Sequence, residues 1–192
     1  MKSVENGEKI LFETADILEE IEVPYHLTHG TLLGLYRDHA IIEGDSDMDI
    51  GILMEDFRPK LNDMIDEFSS NGFKVRPFST PCSYIRTLWL YKYDTIMDLI
   101  GFFLYKDRRF CLSQAKENVA WYHSAKFLNG YGTIEFKKRK FPIPAKTEEF
   151  LKEAYGDTWR IPQDKKYVET VVSDYWNKVK KEMEKTYFDF IV

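Results

Sequence analysis

The sequence predicts an α+β fold in which helices flank a mixed β-sheet. Three features point there. Apolar residues recur at helical spacing in three separated stretches, residues 8–21, 57–70 and 167–187. Residues 73–112 instead break into short segments rich in aromatic and branched side chains, with turns between them, the mark of strands. Between the first two helical stretches lies Gly30 to Ile52, GTLLGLYRDHAIIEGDSDMDIGI. It reads as a turn, a short helix, a loop and a strand bearing a pair of carboxylates.

Taken in order, the first helix places Ile10, Leu11, Ala15, Leu18 and Ile21 on one face, and Pro24 marks its end. Tyr25 to Thr28 follows as a strand and runs into Gly30-Thr31 and a helix over 31–37. The next helix carries Phe57, Leu61, Met64, Ile65 and Phe68 on one stripe. Asp56 is its N-cap, Pro59 falls in its first turn and Asn71-Gly72 stops it. Strands follow at 73–78, 84–91, 95–104 and 109–112. Thr133 to Phe141, TIEFKKRKF, reads as one strand ending in the basic cluster Lys137, Lys138, Arg139 and Lys140, a solvated edge or an anion-attracting patch. Thr147 caps a helix that buries Phe150, Leu151 and Ala154 and stops at Gly156. Over 167–187, Val168, Val171, Val172, Tyr175, Trp176, Val179 and Met183 share a packing face. The polar face of that stretch mixes lysines with Glu182 and Glu184, which argues against membrane docking.

The 192 residues are enough for one domain, 1–192, with a sizeable core. A net charge of −5 gives no support to nucleic acid as a partner. No run approaches the roughly 20 apolar residues of a transmembrane helix, and MKSVENGEKI lacks a signal-peptide core. The expected location is cytoplasmic, or peripheral at the inner membrane face. Cys82 and Cys111 are far apart and outside any CxxC, so reduced thiols are expected rather than a disulfide framework or a zinc site.

The candidate chemistry sits on the Asp47-Met48-Asp49 strand. Side chains two apart on a strand project to the same face, so Asp47 and Asp49 stand together while Met48 and Ile50 face the core. Carboxylates that close repel, and burying them unpaired is costly. A divalent cation removes the conflict, and hard oxygen ligands suit Mg²⁺ or Mn²⁺. Gly30-Thr31 at a helix start offers backbone N–H groups and a hydroxyl to a phosphate. Together these are the parts of metal-assisted phosphoryl or nucleotidyl transfer. An isolated DxD is also common on plain surfaces, and Gly30 alone reads equally as a turn glycine.

The stretch resembles the LicD/fukutin family. The residues that carry the resemblance are Gly30-Thr31-Leu32-Leu33-Gly34, Arg37, Ile42 and Asp45-Ser46-Asp47-Met48-Asp49-Ile50. A second match lies in Phe141, Pro142, Pro144, Leu151, Tyr155, Gly156, Trp159 and Pro162, so the resemblance spans about residues 25–162. It implies a nucleotidyltransferase-like fold, with a third carboxylate on a later strand. Asp98, alone in the apolar strand TIMDLIGFFLY, stands where that carboxylate is expected. The bland alternative is a structural Asp98 that caps a turn or pairs with Arg86.

The resemblance further implies transfer of a phospho-alcohol from a CDP-activated donor to a sugar hydroxyl of a cell-surface glycan or its precursor. Phosphocholine onto lipopolysaccharide or teichoic acid is one form, and ribitol phosphate another. Asp47, Asp49 and Asp98 would hold Mg²⁺ or Mn²⁺, and Asp98 would also take the proton of the attacking hydroxyl. Gly30, Thr31 and Arg37 would hold the donor phosphate. Arg37 pairs otherwise with Asp45 or Glu43. His26 and His29 border the pocket, whereas His39 and His123 read as surface or satisfied core. No Ser-His-Asp or Cys-His pairing suggests covalent hydrolysis. Two other readings share the fold: transfer of NMP from an NTP to a small molecule or sugar phosphate, and a binding protein without catalysis.

Overall fold

The computed structural model describes residues 3–79, 85–112 and 120–162. The helix read at 167–187 and Cys82 lie outside the described residues. Helix α1 (Val4–Glu20) starts at Val4 rather than at residue 8, because the Ser3 hydroxyl caps it, accepting from the Asn6 N–H at 3.1 Å. Strand β1 (His26–Leu27) leads into α2 (His29–Asp38) and β2 (Asp47–Leu53). Helices α3 (Met54–Phe57) and α4 (Leu61–Ser70) follow. Then come β3 (Lys74–Ser79), β4 (Ile85–Lys92), β5 (Thr95–Tyr105), β6 (Arg108–Leu112) and β7 (Ala120–Ser124). After a 3-10 turn (Ala125–Phe127) come β8 (Tyr131–Phe136), β9 (Arg139–Pro144) and α5 (Thr147–Tyr155).

Three local expectations are corrected. The helix expected over 57–70 is two helices, because Pro59 has no N–H to continue the ladder. Asp56 therefore lies inside α3, and Lys60 stands at the N-cap of α4. The apolar stripe survives the break, with Phe57, Met64 and Phe68 fully buried. TIEFKKRKF is a hairpin rather than one strand: β8 and β9 pair antiparallel across Lys137-Lys138. Both turn residues have positive φ, 48° and 68°, as the tight turns that match strand twist require. The basic cluster clasps α1, Lys137 pairing with Glu8 at 2.5 Å and Arg139 with Asp16 and with Glu19 at 2.9 Å. Thr147 opens α5 but does not cap it, since its hydroxyl donates to the Pro144 carbonyl at 2.6 Å.

Among the described residues the main sheet runs β1-β2-β5-β4-β3, and the outer part of β5 also pairs with β6, which pairs with β7. Strands β2 and β5 are parallel, and every other pair is antiparallel. One face is apolar. Met48 lies opposite Met97 and Ile50 opposite Leu99, with Leu90 and Leu88 continuing the rows on β4, all buried. Helix α1 packs over β2 and β5 and against α4 on that face. The other face of β2 therefore carries Asp47, Asp49 and Gly51.

Beside Gly51 on that second face stands His26, its cross-strand partner on β1. The ring is fully buried, stacked on Tyr131 at 5.6 Å and tilted against Phe102 at 5.3 Å. Burial, reinforced by the nearby His123, His29 and Arg109, lowers its pKa from 6.5 to about 3. His26 is thus neutral in the fold and charges readily only when unfolded. Its contribution is complete above pH 6.5 and is lost as pH falls toward 3. Wild type should therefore lose up to about 1.4 kcal/mol per pH unit below 6.5 through this ring. Urea unfolding at pH 7 and pH 5 should show a smaller loss in His26→Leu. A second expectation concerns Gly34, where α2 meets its exit loop. A Cβ there would lie 2.7 Å from the Ala40 carbonyl oxygen and 2.8 Å from Ile42 Cγ1. Gly34→Ala should cost about 1–3 kcal/mol, read as a lower urea midpoint at unchanged slope.

Candidate active site

Strands β2 and β5 run parallel in a register that sets Asp49 opposite Asp98 and Asp47 opposite Ile96. Neighbouring strands lie about 4.8 Å apart, and opposed residues point to the same side. Asp49 and Asp98 therefore stand side by side on the face away from α1, 7% and 8% exposed. Asp47 shares the face two residues earlier and is half-buried at the strand entrance.

The loop before β2 brings in a fourth carboxylate. Asp45 is buried, and its Oδ1 accepts from the Ser46 N–H at 2.9 Å. A Cβ placed on Gly30 would lie 2.5 Å from Asp45 Oδ2 and 3.6 Å from Asp49 Oδ2. Two carboxylates thus converge on a residue that must lack a side chain. The Gly30 N–H donates to Asp49 Oδ2 at 3.1 Å, and the Thr31 hydroxyl accepts from the Asp49 N–H at 2.7 Å. Two of the three residues read as donor-phosphate ligands, Gly30 and Thr31, also hold Asp49.

His29 approaches from the same turn. Its backbone is left-handed, with φ 43°, a strained state for a residue other than glycine. This turn sets Nδ1 3.8 Å from Asp49 Oδ1 and Nε2 3.7 Å from the buried Cys111 Sγ. Burial opposes protonation of the ring, but its contacts with Asp49 and Cys111 outweigh it and raise the pKa to about 10. Of the remaining histidines, His39 is exposed at the end of α2, and His123 is buried 3.5 Å from Glu153.

Arg37 is not gathered with these groups. It lies seven residues from Gly30, about 10 Å along the helix. Its guanidinium holds Asp38 through Nε at 2.8 Å and Nη2 at 2.6 Å. Nη1 reaches the Trp159 carbonyl at 3.4 Å. Neither Asp45 nor Glu43 is the partner seen. Trp159 is buried against Tyr36 at 6.0 Å. Beside them opens a cleft of about 570 Å³, lined in part by Lys146, Lys152 and Arg160, at the end of α2 remote from the carboxylates.

A hard divalent cation suits this donor set. Among the described residues no three His, Cys, Asp or Glu side chains already form a closed cage. Asp49 and Asp98, paired in register, with Asp47 two residues earlier on the same face, are the hard oxygen donors that could take such an ion together with water and substrate phosphate. Asp45 was visible in the sequence as the first member of an i, i+2, i+4 series with Asp47 and Asp49. Cys111 had no such signal, being 82 residues from His29 in sequence.

Comparison with known proteins adds to this geometry. The mouse and human proteins named "Ribitol-5-phosphate transferase FKTN" are each 29% identical to it, over 163 and 164 residues. The matches cover 81% and 82% of this chain but 33% and 34% of the relatives, so the chain spans about a third of their length. In fold it resembles the solution structure of the antibiotic-resistance factor ANT(2'')-Ia, with a TM-score of 0.51 and 11% identity. That likeness covers 95% of this chain and 88% of the other. The family description "LicD/FKTN/FKRP, nucleotidyltransferase domain" matches residues 22–146, well over half the sequence. The chain belongs to the LicD/FKTN/FKRP family.

Proposed function

We propose that this chain is a metal-dependent transferase that moves a phospho-alcohol from a CDP-activated donor to a hydroxyl of a glycan. The observation behind this reading is the in-register pair Asp49 and Asp98, with Asp47 on the same face and Gly30 under the carboxylates. The FKTN relatives, transferases of ribitol 5-phosphate by name, support the choice of a phospho-alcohol over a nucleotide as the group moved.

Asp49, Asp98 and Asp47 would hold Mg²⁺ or Mn²⁺, which supplies neutralisation of the departing CMP and polarisation of the attacked phosphorus. The residues divide the rest of the work. The Gly30 N–H and His29 orient Asp49, and the Thr31 hydroxyl ties its backbone to α2. Asp98 takes the proton of the attacking hydroxyl. Thr31 and the N–H groups of the first turn of α2 lie at the helix end that favours a donor phosphate. Arg37, at the far end, positions the Trp159 segment.

The test is CMP release from CDP-ribitol, CDP-choline and CDP-glycerol, with Mg²⁺ or Mn²⁺ and a saccharide acceptor. Turnover of at least one donor, abolished by EDTA, is the expected result. Pyrophosphate release from ATP or CTP instead would replace the reading with NMP transfer. Asp98→Asn and Asp49→Asn should each lower kcat by about 100-fold or more. Without metal, thermal unfolding should show no loss of stability in Asp98→Asn, because the change removes one of two neighbouring like charges. Mg²⁺ should raise the melting temperature of wild type more than that of the variant.

A further inference from the structure

The row that holds Asp49 and Asp98 continues past β5. Opposite Asp98 on β4 stands Trp89, and opposite Trp89 on β3 stands Arg76. Opposed residues share a face, so Asp49, Asp98, Trp89 and Arg76 form one line across four strands at steps of about 4.8 Å. Phe78, two residues along β3 from Arg76, sets its ring 4.1 Å from that of Trp89. The Arg76 guanidinium lies over both rings, 4.8 Å from Phe78 and 5.6 Å from Trp89. Arg76 is exposed and the two rings are half-buried. The Trp89 indole nitrogen is turned inward and buried, so the ring presents its face rather than its N–H to the ledge. None of the three faces the core, which lies on the side of α1 and α4.

We propose that this ledge seats the sugar ring of the acceptor. The inference rests on the transfer reaction proposed above and adds to it the place of the second substrate. Position separates acceptor from donor. Asp98 is the group assigned to the acceptor's proton, and Trp89 is its neighbour on the next strand. The ring bearing the attacking hydroxyl therefore falls on Trp89. Attacking and leaving oxygens lie roughly in line at phosphorus, so the departing nucleotide lies away from β4 and β3. The chemistry matches. The C–H face of a pyranose packs on aromatic rings, and its hydroxyls need donors fixed at the rim. Arg76 offers a planar fork of N–H donors held in place by stacking.

Two variants test it. Arg76→Ala changes an exposed residue and spares the fold, and Trp89→Leu removes the platform. In the transfer assay each should raise the acceptor KM about ten-fold while the donor KM stays within about two-fold. Saturation-transfer NMR on the full chain, with the methyl glycosides of glucose, galactose and N-acetylglucosamine and no donor, reads sugar binding by itself. Wild type should give a signal that Arg76→Ala weakens. If no CDP-alcohol is turned over, the proposed reaction fails, and an Arg76-dependent sugar signal still supports the ledge. If transfer proceeds but the variants raise only the donor KM, or change neither constant, the ledge is overturned and the reaction stands. A wild-type chain with no sugar signal also overturns it.

Discussion

Two like charges at strand spacing set the terms for this fold. At about 5 Å and an effective dielectric constant of about 20, a pair of carboxylates repels by roughly 3 kcal/mol. The parallel register of β2 and β5 imposes that separation on Asp49 and Asp98. What surrounds them answers the cost: the Gly30 N–H on one oxygen of Asp49, His29 beside the other, and Thr31 on its backbone. The apolar face of the same strands supplies the compensation. Met48, Ile50, Met97 and Leu99 are buried there, so the segments that carry the charge are also anchored in the core. A site that is locally unfavourable is held by the strands that make the core.

Helix α2 is a strut with a different task at each end. Its first turn fixes the carboxylate strand, and its last turn holds the backbone of Trp159 through Arg37. The two separated sequence motifs, GTLLG-x-x-R and YG-x-x-W, are therefore neighbours through one side chain and one carbonyl. Tyr36 packing on Trp159 adds an aromatic contact to the same joint.

What was legible in the sequence follows from range. Asp47 and Asp49 share a face because the strand period is two, and that is local. Asp98 stood out because one charge in an apolar strand needs a reason. Its place opposite Asp49 depends on a parallel pairing with no local trace. The contact of His29 with Cys111 is hidden for the same cause. The Lys137-Lys138 turn was missed because its left-handed residues are neither glycine nor asparagine, and the long charged run masked the reversal. The break at Pro59 and the Ser3 cap had ordinary local signals that the apolar periodicity overrode. The fold class and the family came through because each rests on several such local patterns at once.

Helix α1 lies outside the residues that define the family match, which begin at 22, yet it roofs the apolar side of the sheet. Arg139 and Lys137 of the hairpin reach back to lock it there. A fragment trimmed to the homology boundary would keep every carboxylate of the site and strip the cover from Met48, Ile50, Met97 and Leu99. Such a fragment would be a sticky, self-associating sheet rather than a minimal enzyme. The family match and the packing that buries its sheet therefore have different boundaries in this chain.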